Sequence, residues 1–97
     1  MGFSSVKTVT VSATASAVSY RCRLRGVIVN NYSAAVRVFT VRDGSPTAAT
    51  LLTFSVPAAS NYQADNFPGA GILAVSGLWA DPGAGAAASV EATLFYE

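Results

Sequence analysis

Val36-Arg37-Val38-Phe39-Thr40-Val41-Arg42-Asp43-Gly44-Ser45-Pro46, followed closely by Thr50-Leu51-Leu52-Thr53-Phe54-Ser55-Val56, decides the fold class. Both ends of this stretch are runs of β-branched and aromatic residues, which fit a pleated, half-buried surface. Asp-Gly between them is a strong hairpin signal, because glycine accepts the positive φ that a tight turn requires. The stretch predicts a strand over 35–42, a turn at Asp43-Gly44-Ser45-Pro46, and a strand over 50–56. In the second strand Leu52, Phe54 and Val56 are expected inward, and Leu51, Thr53 and Ser55 outward.

The same grammar extends in both directions. Val6-Lys7-Thr8-Val9-Thr10-Val11 alternates as a first strand, and Ser12 to Val18 alternates small residues that suit close backbone approach. Tyr20 to Val29 reads as a strand with Cys22, Leu24, Gly26 and Ile28 on one face. Arg21, Arg23, Arg25, Val27 and Val29 take the other. Asn30-Asn31-Tyr32-Ser33 reads as a turn and 57–66 as a surface loop. Ile72 to Trp79 reads as a strand, Asp81-Pro82-Gly83-Ala84-Gly85 as a turn, and Ser89 to Tyr96 as the closing strand. No segment has a helical period. Short strands with turn signals every 8–12 residues predict a single all-β domain, an antiparallel β-sandwich or jelly-roll-like fold of seven to eight strands. Residues 1–19 are expected to form an N-terminal strand or arm, which suits pairing with a neighbour's sheet edge. Residues 20–97 are expected to form the sandwich core.

Two strands break the inside/outside rule. Val36 to Val41 and Ile72 to Trp79 carry large apolar groups on both faces, whereas a half-solvated antiparallel strand alternates. Either these strands are central in a barrel-like wrap or their second face meets another subunit, and the thinness of the domain favours the second. Trp79 reads either as an anchor of that contact or as an ordinary core residue.

Chemistry is sparse. The 97 residues include no His and one Cys, 11% are charged and 52% hydrophobic. An average soluble domain is about 25% charged. Without His, a Ser or Thr nucleophile has no conventional base, and five dispersed acids show no glycosidase spacing. Metal sites lack ligands, apart from carboxylate and carbonyl oxygens near Asp43 or Asp65. Gly69-Ala70-Gly71 leads into a strand rather than the helix that a phosphate cradle needs. No enzyme activity and no cofactor are expected. Cys22 has no intrachain disulfide partner and reads as a small buried hydrophobe. The first residues lack the basic start and apolar run of a signal peptide, and Met1-Gly2 without Ser or Thr at position 6 misses the myristoylation pattern. No apolar stretch is long enough to span a bilayer, so no membrane partner is expected. Asn31-Tyr32-Ser33 is a formal glycosylation sequon, read as coincidence.

The net charge of +1 hides a split. Lys7, Arg21, Arg23, Arg25, Arg37 and Arg42 precede Asp43, Asp65, Asp81, Glu91 and Glu97. If the split survives in space, one basic and one acidic surface suit head-to-tail or ring assembly. Arg21, Arg23 and Arg25 share one strand face, which is either a solvated surface or a contact to an acidic protein. Three charges are too few to favour nucleic acid.

Three stretches carry a resemblance: Leu24-Arg25-Gly26-Val27-Ile28-Val29-Asn30-Asn31, then Val36 to Gly44, then Phe67-Pro68-Gly69-Ala70-Gly71-Ile72-Leu73 with Ser76-Gly77-Leu78-Trp79 and Val90 to Tyr96. Over roughly residues 20–97 the chain resembles small virion proteins of tailed bacteriophages, in particular capsid cement (decoration) proteins. The resemblance implies a non-enzymatic β-sandwich, made in the host cytoplasm and placed on the capsid surface. It implies partnership with itself, as a trimer, and with the major capsid protein. Two other readings stay open: a receptor- or glycan-binding tip of a tail or fibre, with Tyr62 or Trp79 beside Asn61 and Asp65, and a head–tail connector subunit. The interface candidates are Arg21, Arg23, Arg25, Phe39 and Trp79.

Overall fold

The hairpin around Gly44 is present. In the computed structural model, which describes residues 6–64, 67, 71–83 and 89–97, the strands are β1 (Lys7–Val11), β2 (Ala15–Val18), β3 (Cys22–Asn31), β4 (Arg37–Asp43), β5 (Thr50–Val56), β6 (Ser60–Ala64), β7 (Ile72–Ala74), β8 (Leu78–Asp81) and β9 (Val90–Tyr96). β4 and β5 pair antiparallel with Arg37 opposite Val56 and Phe39 opposite Phe54. Gly44 has a φ of 85°, as the turn demands. Asp65, Gly69, Ala70 and residues 84–88, singled out from the sequence, lie outside the described residues, as do Met1 and Gly2.

The pairings nest. β4 pairs β5, β3 pairs β6 and β7, β2 pairs β8, and β1 pairs β9, all antiparallel. Each pairing encloses the previous one in sequence. Rolled over, this long double ribbon gives two packed sheets, β1-β9-β3-β6 with β7 also on β3, and β2-β8-β4-β5. That arrangement is the jelly roll. Among the described residues nine strands are seen where seven to eight were expected, because Ser60–Ala64 is a strand and Ile72 to Trp79 divides into two. β7 lies opposite Cys22–Leu24, and β6 opposite Val27–Asn31.

The core is made by inward positions of both sheets. Val11, Val18, Leu24, Val27, Val29, Phe39, Val41, Val56, Leu78, Val90 and Leu94 are buried together, with Cys22 and three alanines. Burying one such branched or aromatic side chain is worth about 1.5–3 kcal/mol. Phe39 tilts against Phe54 at 5.6 Å, and Phe54 stacks on Tyr62 at 4.4 Å, so an aromatic ladder runs from the core to the edge between β5 and β6.

Five expectations are corrected. Ile72 to Trp79 is not one strand: it crosses from the first sheet to the second at Val75-Ser76-Gly77. Its apparent two-facedness is the sum of two short strands in different layers. The crossing needs Gly77, whose φ is 121° and where a Cβ would stand 2.1 Å from the Val18 carbonyl oxygen. The polar segment 57–66 is not all loop, since Ser60–Ala64 pairs as an exposed edge strand. Asn30 and Asn31 belong to β3 rather than to a turn. The alternation in β3 slips at Arg25-Gly26, because a β-bulge adds one residue there relative to β9. Cys22 and Leu24 point inward as expected, but beyond the bulge Val27, Val29 and Asn31 are buried and Ile28 faces out. Finally, Phe39 is fully buried between the sheets, so it offers no area to a partner.

The N-terminal stretch is built in. β1 is an edge strand on β9 and β2 an edge strand on β8, so the segment expected as an arm for a neighbour's sheet is paired within its own chain.

Among the described residues, the core holds one polar side chain, Asn31, at 1% exposure. Its Nδ2 donates to the carbonyl oxygens of Ala35, Val56 and Pro57 at 2.9, 3.1 and 3.1 Å. Its Oδ1 accepts from the Ser33 amide at 3.0 Å and the Ser33 hydroxyl at 2.7 Å. One side chain thus ties the β3–β4 connection to the end of β5. The sequon at Asn31 is inaccessible to modification for the same reason.

Candidate interaction faces

The register places every second residue of each strand on an outer face, and these faces carry the candidate residues. On the first sheet, β3 presents Arg23, Arg25, Ile28 and Asn30, β9 presents Glu91, Thr93 and Phe95, β1 presents Thr8 and Thr10, β6 presents Asn61 and Gln63, and β7 presents Leu73. Phe95 lies opposite Gly26, which has no side chain to cover it. A shallow groove of about 260 Å³ forms there, lined by Arg25, Gly26, Val27, Ile28, Gln63 and Phe95. Thr10 and Thr93 hydrogen-bond across the strands at 3.0 Å.

The arginine stripe is kept in part. Arg23 and Arg25 stand half-buried on this face and Arg21 is exposed just before the strand. Arg25 is engaged by the Glu97 carboxylate, and the backbones of Arg23 and Glu97 exchange bonds of 2.8 and 3.0 Å. Such a partly exposed ion pair contributes at most about 1 kcal/mol. It orients Arg25 more than it stabilises the sheet.

On the second sheet, the outer face carries Val38, Thr40 and Arg42 of β4, Thr53 and Ser55 of β5, and Trp79 and Asp81 of β8. Trp79 is half-buried between its lateral neighbours Ser16 and Arg42, on the side away from the core. Arg42 donates to the Thr50 hydroxyl at 2.9 Å and the Ala48 carbonyl at 3.2 Å. Val38 is 51% exposed, and Val36 just before the strand 61%, so the apolar pattern read over Val36 to Val41 does reach the outward side. Trp79 and the arginine stripe therefore lie on opposite faces of the sandwich and do not form one site.

The charge split survives in space only in part, as a net bias along the strands with both signs at each end. Lys7, Arg21, Arg23, Arg25 and Arg42 gather toward the end that holds the β4–β5 hairpin, with Asp43 and Glu97. Arg37, Asp81 and Glu91 lie toward the other end. Asp43 is occupied by the Ser76 amide at 2.8 Å, and Asp81 accepts from Thr14 and from the Gly83 amide. No group of three or more His, Cys, Asp or Glu side chains able to hold a metal occurs among the described residues. Cys22 is buried, and that burial, reinforced by the Asp43 carboxylate, holds its thiol above the ordinary value of 9.0.

Tyr62 and Asn61, read together from the sequence, are neighbours on β6 but face opposite sides, with Tyr62 stacked on Phe54. The residues that sequence reasoning missed lie across from Asn61. Asn30 of β3 is its direct partner, and Tyr32 beyond it is 66% exposed. No motif joins positions 30 and 61; only the β3–β6 pairing does. No protein-family model, curated protein or solved structure matches this chain.

Proposed function

We propose that this chain is a non-enzymatic structural protein of a tailed-bacteriophage virion, a cement protein that stabilises the head shell through contacts with itself and with the major capsid protein. One observation carries the reading: both outer sheet faces place large apolar side chains where a solvated sheet has polar ones. These are Ile28, Leu73 and Phe95 on one face and Val38 and Trp79 on the other. Apolar centres rimmed by arginine match the anatomy of protein–protein interfaces, where Trp, Phe and Arg are enriched. A protomer with two such faces contacts a neighbour and a shell at once, and the net charge bias along its strands gives a ring of protomers a direction. The jelly roll is used in viral capsids, but also in lectins and cupins, so the fold alone does not select this role.

The test is native mass at micromolar concentration, followed by co-sedimentation with shells of the major capsid protein encoded in the same genome. A trimer that pellets with shells and raises their resistance to heat is expected. Trp79→Ala and Phe95→Ala, which remove outward-facing side chains, should each weaken assembly or shell binding at least tenfold, about 1.4 kcal/mol. A monomer that stays in the supernatant refutes the proposal.

A further inference from the structure

The Asn31 end of the first sheet's outer face holds a second groove, distinct from the one over Gly26. It measures about 280 Å³ and is lined by Asn30, Asn31, Tyr32, Ala59, Ser60 and Asn61. Asn30 lies directly opposite Asn61 on one side and directly opposite Glu91 on the other. Three planar polar side chains therefore form a row across β9, β3 and β6, about 4.8 Å apart. No hydrogen bond within the described residues engages the side-chain amide of Asn30 or Asn61. Tyr32, 66% exposed, lies two residues beyond Asn30 along the chain and lines the same groove. The floor is held in a costly conformation: Ala59 has a φ of 52°, in the left-handed region, fixed by its amide donating to the Ser33 carbonyl at 3.0 Å. Strain of this kind costs about 1–3 kcal/mol and persists where the surrounding structure imposes it.

We propose that this groove binds a neutral saccharide. Each carboxamide offers two donors and an acceptor, which matches hydroxyl groups that both donate and accept. Two amides side by side can bracket adjacent hydroxyls. An exposed tyrosine ring gives the apolar C–H face of a sugar a flat surface that loses little entropy on contact. Charge selects against anions, since Glu91 is the charged group in the row and no basic side chain lines the groove. A protein partner would find one aromatic ring here rather than the apolar patch on the other half of the face. The volume lies at the low end of ligand sites, which suits one or two sugar rings. The proposal does not rest on the virion reading and stands or falls separately from it.

The experiment is a titration of the ¹⁵N-labelled full chain with a panel of neutral sugars: glucose, galactose, mannose, N-acetylglucosamine and their β-linked disaccharides. At ~10 mM ligand, a Kd of 1 mM fills about nine sites in ten. Saturable changes in resonance position are expected at the amides of residues 30–32, 59–61 and 91 with at least one sugar. Tyr32→Ala and Asn61→Ala should lower that affinity at least tenfold with the thermal midpoint unchanged, because both side chains are exposed. Arg23→Ala, on the distant half of the face, should bind as the parent does. Unchanged spectra with every sugar, changes centred on Phe95 or Arg23 instead, or tighter binding of sialylated or sulfated analogues overturns the proposal.

Discussion

The substitution Asn31→Asp exchanges one buried NH2 for an oxygen at nearly constant shape, so the cost isolates its hydrogen bonds. Its two N–H hydrogens, shared among three carbonyl oxygens at 2.9–3.1 Å, are lost. At about 1 kcal/mol net for each donor, the loss is about 2 kcal/mol before charge is counted. The new oxygen also faces three carbonyl oxygens at a site that is 1% exposed, so ionisation is opposed. The introduced carboxyl therefore has a folded-state pKa above its unfolded value of about 3.9. The sign follows from linkage. A raised folded pKa means that the folded state holds the proton more tightly, so the variant is least impaired below pH ~4. Its deficit grows as pH rises from the unfolded pKa toward the folded one, by about 1.4 kcal/mol for each pH unit that separates them. A domain of this size has roughly 5–15 kcal/mol in total, so a loss of about 2 kcal/mol or more at pH 7 is a measurable share of the whole. Urea unfolding of both proteins at pH 3.5, 5 and 7 measures this, and the thermal midpoint should fall by at least roughly 8–16 °C at neutral pH. A deficit under about 1 kcal/mol at pH 7, or one that does not shrink on acidification, would show that Asn31 does not hold the β3–β4 connection as described.

Gly77→Ala should cost at least about 2 kcal/mol, because a Cβ there meets the Val18 carbonyl at 2.1 Å in a backbone conformation that alanine disfavours; a midpoint change under a few degrees would contradict the crossing at 75–77. The Cys22 thiol should alkylate with iodoacetamide far more slowly in the native state than in urea at pH 8, and an equal rate would show that it is not buried as described. Its raised pKa should also make the protein less stable above pH 9, as pH climbs from the unfolded toward the folded value. Cys22→Ala should flatten that part of the pH profile.

Strands whose two faces differ in chemistry were readable. Thr50–Val56 and the Asp43-Gly44 hairpin come directly from alternation and turn chemistry, and Lys7–Val11 from Val/Thr alternation. Where both faces are apolar, the pattern carries no phase. Val27, Ile28 and Val29 are alike in hydrophobicity, so nothing before the pairing with β9 says that a bulge at Arg25-Gly26 turns Ile28 outward. Ile72 to Trp79 hid a change of sheet for the same reason, and the polar Ser60–Ala64 strand lacked an inward signal because it is an exposed edge. The arginine stripe was read as an outer face, Trp79 was left open between surface anchor and core, and Phe39 was misjudged because its strand really is apolar on both sides. The Asn30–Asn61–Glu91 row was invisible: its members are distant in sequence and meet only through two separate strand pairings.

The nesting of the strand pairs also sets how the chain reaches its native state. β4 and β5 meet across one short turn, whereas β1 must find β9 with Lys7 ending opposite Tyr96. Closing that outermost loop directly from the unfolded chain costs about 2 kcal/mol more than closing the hairpin. If the inner pairs form first, each success brings the next two segments together. Folding should therefore proceed as a zipper outward from Gly44, slow for the chain's length because most of its pairings are non-local. Pulse-labelling hydrogen exchange would see β4 and β5 amides protected first and those of β1 last. A protein built this way leaves its terminal strands open longest.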